Sequence, residues 1–175
     1  ELLPRDGEGL PSRPELLYRP YQVQADGARV NLLFRDHALS DRIGFDYQSW
    51  EPHHAADDFL WRVREGGRRF AERTGGEDAT IVVILDGENA WEYYPENGYH
   101  FLRQLYTRLA EHPQLRLTTM ERFLAEKSPK PAHAEKLVAG SWVYGTFSTW
   151  IGDPDKNRAW ELLVEAKNSF DEQLA

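Results

Sequence analysis

Residues 80–85, Thr-Ile-Val-Val-Ile-Leu, form an unbroken apolar run rich in β-branched side chains, and Asp-Gly-Glu-Asn-Ala-Trp at 86–91 ends it abruptly. A run this short without polar alternation is the pattern of a strand covered on both faces, as in a parallel sheet flanked by helices. The neighbouring segments agree with that class. Residues 17–23 and 29–36 are strand-like and are separated by the turn signal Ala25-Asp26-Gly27. Ser40 and Asp41 are candidate helix caps, and Ala55, Phe59, Val63 and Phe70 recur at helical spacing, which predicts a helix over 53–73 closed by Thr74-Gly75-Gly76. Phe101, Leu102, Leu105 and Leu109 predict a second helix over 98–112, stopped at Pro113.

Beyond that point the pattern predicts a strand over 115–119, a helix capped by Thr118 or Thr119, and a loop over 128–136. An aromatic, irregular stretch over 140–157 and a final helix over 158–170 follow. Strands alternating with helices imply an α/β fold with parallel strands. Residues 1–16, with Pro4, Gly7, Gly9, Pro11 and Pro14, lack periodicity and read as a linker or a cut edge. One domain over 17–175 is expected from a chain of 175 residues. Glu1 stands at the start and Met120 is the only methionine, so the chain is expected to be a piece of a longer protein.

Charge and composition remove several function classes. The formal charge is −8 and there is no Lys/Arg run, so neither nucleic acid nor an anionic membrane surface is an expected partner. Without cysteine, disulfides and thiolate zinc sites are excluded. No apolar segment approaches the roughly 20 residues of a membrane span, no signal peptide is visible, and the cytoplasm is the default expectation.

In open α/β sheets and barrels the reactive groups lie past the carboxyl ends of the strands, and Asp36 and Asp86 both hold such positions. Asp86 ends an apolar run, Gly87 allows a tight turn or a close ligand, and Glu88, Asn89 and Trp91 follow. A carboxyl group flanked by an apolar wall suits a general acid; an Asp-Gly turn with solvated acids is the plainer alternative. Arg35, Asp36, His37 and Asp41 crowd the other strand end, a set that suits a sugar hydroxyl, a metal or a salt-bridged loop. His53-His54 opens a helix and is expected in solvent. The chain holds six Trp, eight Tyr and eight Phe. Of these, Trp142 and Trp150 stand eight apart among small and polar residues, where stacking on sugar rings and packing in a core are equally compatible with the pattern.

Three ordered stretches, Ile-Leu-Asp-Gly-Glu-Asn-Ala-Trp-Glu-Tyr-Tyr at 84–94, Phe-Arg-Asp-His-Ala-Leu-Ser-Asp-Arg-Ile-Gly-Phe at 34–45 and the segment from Gly140 to Leu163, together resemble the C-terminal half of the catalytic domain of glycoside hydrolase family 57. The resemblance spans roughly residues 17–165 and is closest to the amylopullulanase-like branch. It implies an incomplete (β/α)7 barrel, of which this chain is the C-terminal part, and action on α-glucans or maltooligosaccharides with retention of configuration, as hydrolase or 4-α-glucanotransferase. It implies that Asp86 is the general acid/base and that Trp142 and Trp150 line the glucan cleft, with Arg35, Asp36, His37, Asp41, Glu88 and Trp91 as substrate-binding candidates.

A retaining mechanism needs a second carboxylate about 5 to 5.5 Å away. In the family this is a glutamate of an earlier motif, and neither that motif nor the family's N-terminal histidine motif has a counterpart before residue 17. The rest of the barrel, in the same or another chain, is therefore an expected partner, and the isolated chain is expected to be inactive. No cofactor is expected. A non-catalytic glucan-binding or regulatory half-domain is the alternative. A deacetylase-like metal site built on Asp36, His37 and Asp86 is a third reading, weakened by the lack of a second histidine at ligand spacing.

Overall fold

A computed structural model describes residues 13–87, 91–126, 130–134, 139–141 and 143–174. They fall into two compact units, residues 1–136 and 137–175, and form a mixed α/β structure with one small sheet among the described residues.

The first unit begins with a 3-10 turn, Pro14–Tyr18, and a hairpin of β1 (Tyr21–Ala25) and β2 (Ala28–Leu32). The hairpin is antiparallel, in a register that opposes Tyr21 to Leu32 and Ala25 to Ala28. Asp26 and Gly27 form its two-residue turn, with φ of 50° and 80°. Positive φ at both central positions is what a type I′ turn requires and what Asp-Gly supplies. A two-residue strand, β3 (Ala132–His133), adds to the other side of β1 in parallel, giving the order β2-β1-β3. Its bonds run from the Ala132 amide to the Pro20 carbonyl (2.9 Å) and from the Ala134 amide to the Gln22 carbonyl (3.0 Å). The sequence predicts loop at β3, because two paired residues beside Pro131 are too few to carry a period-2 pattern.

The second predicted strand stops at Leu32. The chain then leaves the sheet, and Arg35 makes a single parallel bridge with Val82. The run 80–85 is accordingly extended but not a strand among the described residues. Its side chains still alternate: Ile81, Val83 and Leu85 pack against the main core, while Val82 is separately buried. Residues 115–119, also predicted as a strand, are unpaired, with Leu115 against the core and Leu117 exposed. In both segments, apolar β-formers make the chain extended, but a ladder also needs a neighbouring backbone.

The helices match the periodicity more closely. A five-residue helix, α1 (His37–Asp41), runs into a wide π-type turn, Arg42–Asp46, and a 3-10 turn, Tyr47–Ser49. Helix α2 spans Pro52–Thr74, with Pro52 in its first turn and Gly75 closing it in the left-handed conformation. Helix α3 (Tyr99–Glu111) buries Phe101 and Leu105. Helix α4 (Met120–Ala125) is capped by the Thr119 hydroxyl, which accepts from the Arg122 amide at 3.2 Å.

The main core joins Leu39 and Ile43 to Tyr47, then to Ala55, Ala56, Phe59 and Leu60 of α2 and to Tyr94, Phe101 and Leu105. The Tyr47 hydroxyl donates to Asp58 at 2.8 Å, and Arg62 donates to the same oxygen at 2.7 Å. Burial works to raise the Asp58 pKa, but these bonds outweigh it and hold the carboxyl below its ordinary value.

In the second unit, α5 spans Pro154–Leu174, four residues earlier than the apolar spacing predicts. Asp153 explains the difference: its Oδ1 accepts from the amides of Asp155 (3.0 Å) and Lys156 (3.3 Å), an N-cap followed by proline in the first turn. No side chain of α5 is buried, and Trp160, Leu163 and Phe170 are exposed. No helix among the described residues is long and apolar enough to cross a membrane.

Candidate functional site

The acid at the end of the apolar run is positioned by the loop 35–40. Three bonds join the two segments: the Asp36 amide donates to the Val82 carbonyl (2.8 Å), the Ile84 amide donates to the Ser40 hydroxyl (3.3 Å), and the Arg35 guanidinium donates to the Ile84 carbonyl (3.4 Å). Ser40 is fully buried and its hydroxyl also donates to the Asp36 carbonyl at 2.7 Å, so both of its functions are used. The backbone is thereby fixed up to Ile84, two residues short of Asp86.

Asp86 is half-buried and Gly87 is exposed, with open space where a Cβ would stand. No described residue donates a hydrogen bond to the Asp86 carboxylate. The carboxyl therefore combines a backbone fixed two residues before it, partial burial and no donor among the described residues, which suits a group that exchanges a proton with a ligand.

The charged cluster at the other predicted strand end divides into two roles. Asp36 is the N-cap of α1: its Oδ1 accepts from the Leu39 amide at 2.9 Å. Its Oδ2 accepts from the Tyr18 hydroxyl at 2.6 Å. Burial, together with this bond to a carboxylate, pushes the Tyr18 phenol pKa up, so it stays a donor. The cap is thus Asp36 rather than Ser40 or Asp41, and its carboxylate holds structure on both oxygens. Arg35, His37 and Asp41 form the other group. Asp41 takes Arg35 at 2.8 Å on one oxygen and the exposed His37 at 3.2 Å on the other.

Trp91 is half-buried against Tyr94, with ring centroids 5.3 Å apart. Its seat depends on Gly98, the residue before α3, at φ +81°: a Cβ there would lie 2.7 Å from Trp91 Cε3. Gly98→Ala is expected to cost about 1–3 kcal/mol, from a left-handed backbone and a displaced indole together. Urea unfolding checks the cost, and a shift in tryptophan emission reports the displacement. An unchanged midpoint would show that the loop absorbs the methyl group.

Trp150 is 39% exposed in the second unit, where its carbonyl accepts from Trp160 Nε1 at 2.9 Å. Glu88 and Trp142 lie outside the described residues. His53 and His54 are exposed, as the sequence predicts. No group of three or more acidic or histidine side chains among the described residues is arranged to hold a metal ion. Sequence reasoning missed Tyr18 and took Ser40 only as a candidate cap, yet these are the residues that steady the site. Neither carries a spacing signal, since their partners lie 18 and 44 residues away.

Comparison with curated proteins finds none that matches the chain. A family model described as Glycosyl hydrolase family 57 matches residues 5–135, a range that contains both the loop 35–41 and Asp86.

Proposed function

The chain belongs to glycosyl hydrolase family 57, and from that premise we propose that it supplies the general acid/base of a retaining enzyme acting on α-glucans. Membership implies glycosidase or glycosyltransferase chemistry on carbohydrate. The finer reading assigns Asp86 to protonate the glycosidic oxygen and then to deprotonate the incoming water or acceptor sugar. The observation that carries it is the Asp86 carboxyl, half-buried at the end of a clamped backbone and left without a donor by the described residues.

In the same reading residues 17–165 contribute to the C-terminal part of an incomplete (β/α)7 barrel. The parallel bridge between Arg35 and Val82 and the parallel pairing of β1 with β3 support it. Arg35, His37 and Asp41 offer polar contacts to sugar hydroxyls beside the acid. Asp36 is assigned beside them as a substrate-binding residue whose carboxylate also caps α1. Glu88, Trp91, Trp142 and Trp150 are assigned to the glucan cleft. The nucleophilic glutamate comes from a segment outside residues 17–165, in the same polypeptide or another.

The test is an assay on maltooligosaccharides and glycogen, with the 175-residue chain alone and then combined with a segment carrying the nucleophile. The expected result is no turnover alone, and turnover with retained anomeric configuration, read by NMR, in the combined assembly. Full turnover by the chain alone that survives Asp86→Asn would sink the assignment.

A further inference from the structure

A recess lies between the 3-10 turn Tyr47–Ser49 and the start of α3. Its volume is about 310 Å³, and Tyr47, Gln48, Trp50, Tyr94, His100 and Phe101 form much of its wall. That is the low end of the range for small-molecule sites and suits one compact organic unit. Trp50 rests edge-on against Tyr47, with centroids 5.4 Å apart, and stays 41% exposed, so part of its indole is open to a ligand.

The polar groups of the wall are unequal. The Tyr47 hydroxyl is committed to Asp58 and the Tyr94 hydroxyl to the Ile43 carbonyl. Gln48 differs: its Oε1 is buried and has no hydrogen-bond partner among the described residues, a state shared only with Arg19 Nε. A buried acceptor without a donor is destabilising, so such a group calls for a ligand or a water. Oxygen and nitrogen of a carboxamide are assigned from their surroundings, but a hydroxyl serves either orientation because it both donates and accepts. Among the described residues that line the recess there is no lysine or arginine and one acid, Glu51, so anions are disfavoured. An apolar aromatic face, one unmet amide and no lysine or arginine match a neutral ring bearing hydroxyls.

We infer that this recess binds one neutral hexopyranose unit of a glucan chain, its apolar face on Trp50 and a hydroxyl on the Gln48 carboxamide. The inference rests on the α-glucan reading for the choice of sugar. Tilted and edge-on ring contacts run from the recess to Trp91: Trp91 against Tyr94, Tyr94 against Phe101 (5.5 Å), Phe101 against Tyr47 (5.7 Å) and Tyr47 against Trp50.

The experiment is titration of the 175-residue chain with maltose and maltotriose, followed by calorimetry and by the side-chain amide signals of Gln48 in 1H–15N NMR. Binding should shift the Gln48 amide signals. Gln48→Leu, close in shape, and Trp50→Ala should each weaken affinity about tenfold. Trp50→Phe should retain most of the affinity, and Trp61→Ala, an exposed tryptophan on α2, should change nothing. Undiminished affinity in both Gln48→Leu and Trp50→Ala, or binding that leaves the Gln48 amide unshifted, would overturn the recess and leave the glucan reading standing. Absence of binding to maltooligosaccharides and glycogen, with no turnover in the combined assembly, would overturn both.

Discussion

Asp86→Asn is expected to lower kcat of the catalytically complete assembly by about 100- to 10,000-fold, the usual contribution of a positioned acid/base. This corresponds to about 3–5 kcal/mol of barrier. The substitution keeps the shape of the side chain and replaces the ionisable carboxyl with a neutral amide that cannot exchange the proton. No described residue donates to the carboxylate, so stability should stay within about 0.5 kcal/mol of wild type. Leaving-group dependence identifies the role. A substrate whose leaving group departs without protonation should lose far less in the glycosylation step than a natural glucan does, because that step no longer needs the acid. Equal losses on both substrates would mean that Asp86 binds or orients sugar rather than transferring a proton.

The largest effect on stability is expected from Phe101→Ala. Phe101 is 2% exposed and packs against Tyr47, Trp91 and Tyr94, with centroids 5.7, 6.5 and 5.5 Å away. Deleting a buried phenyl ring costs about 3–5 kcal/mol through lost transfer energy and the cavity left behind. Against a typical total of about 5–15 kcal/mol, that is a large share of the folding free energy. Denaturant unfolding should show the midpoint falling at constant slope, and Phe101→Leu should recover most of the loss. A loss under about 1 kcal/mol would show that the three neighbouring rings close over the gap. The same variant should disturb Trp91 before it disturbs β1 and β2, whose small cluster around Tyr21 and Ala134 is separate.

Long periodic segments were legible in the sequence, and so was one kind of turn. Helices α2 and α3 lie within a residue or so of the spans predicted for them, because many apolar positions in each agree on one face. The hairpin turn was legible because Asp-Gly satisfies two positive φ angles at once. Pairing was not. The runs 80–85 and 115–119 carry the composition of strands, yet composition does not say whether another backbone lies alongside.

The candidate site divides in the same way. That Asp86 ends an apolar run is written in consecutive residues. That Asp36 is a helix cap depends on a five-residue helix too short to show a period, and on Tyr18, which folding brings to it. Trp50 and Gln48 stood out in no pattern, because their recess is made by a turn meeting the start of a distant helix.

The clamp at Ser40 has a consequence for how the acid can vary. One hydroxyl ties the carbonyl of the α1 cap to the amide of Ile84, so the height at which Asp86 emerges is set by a loop more than forty residues upstream. Lengthening or shortening residues 36–40 is expected to shift Asp86 along the direction of the run 80–85 that leads to it. The placing of that carboxyl is thereby adjustable at a distance along the chain, from a serine 44 residues before the amide it holds.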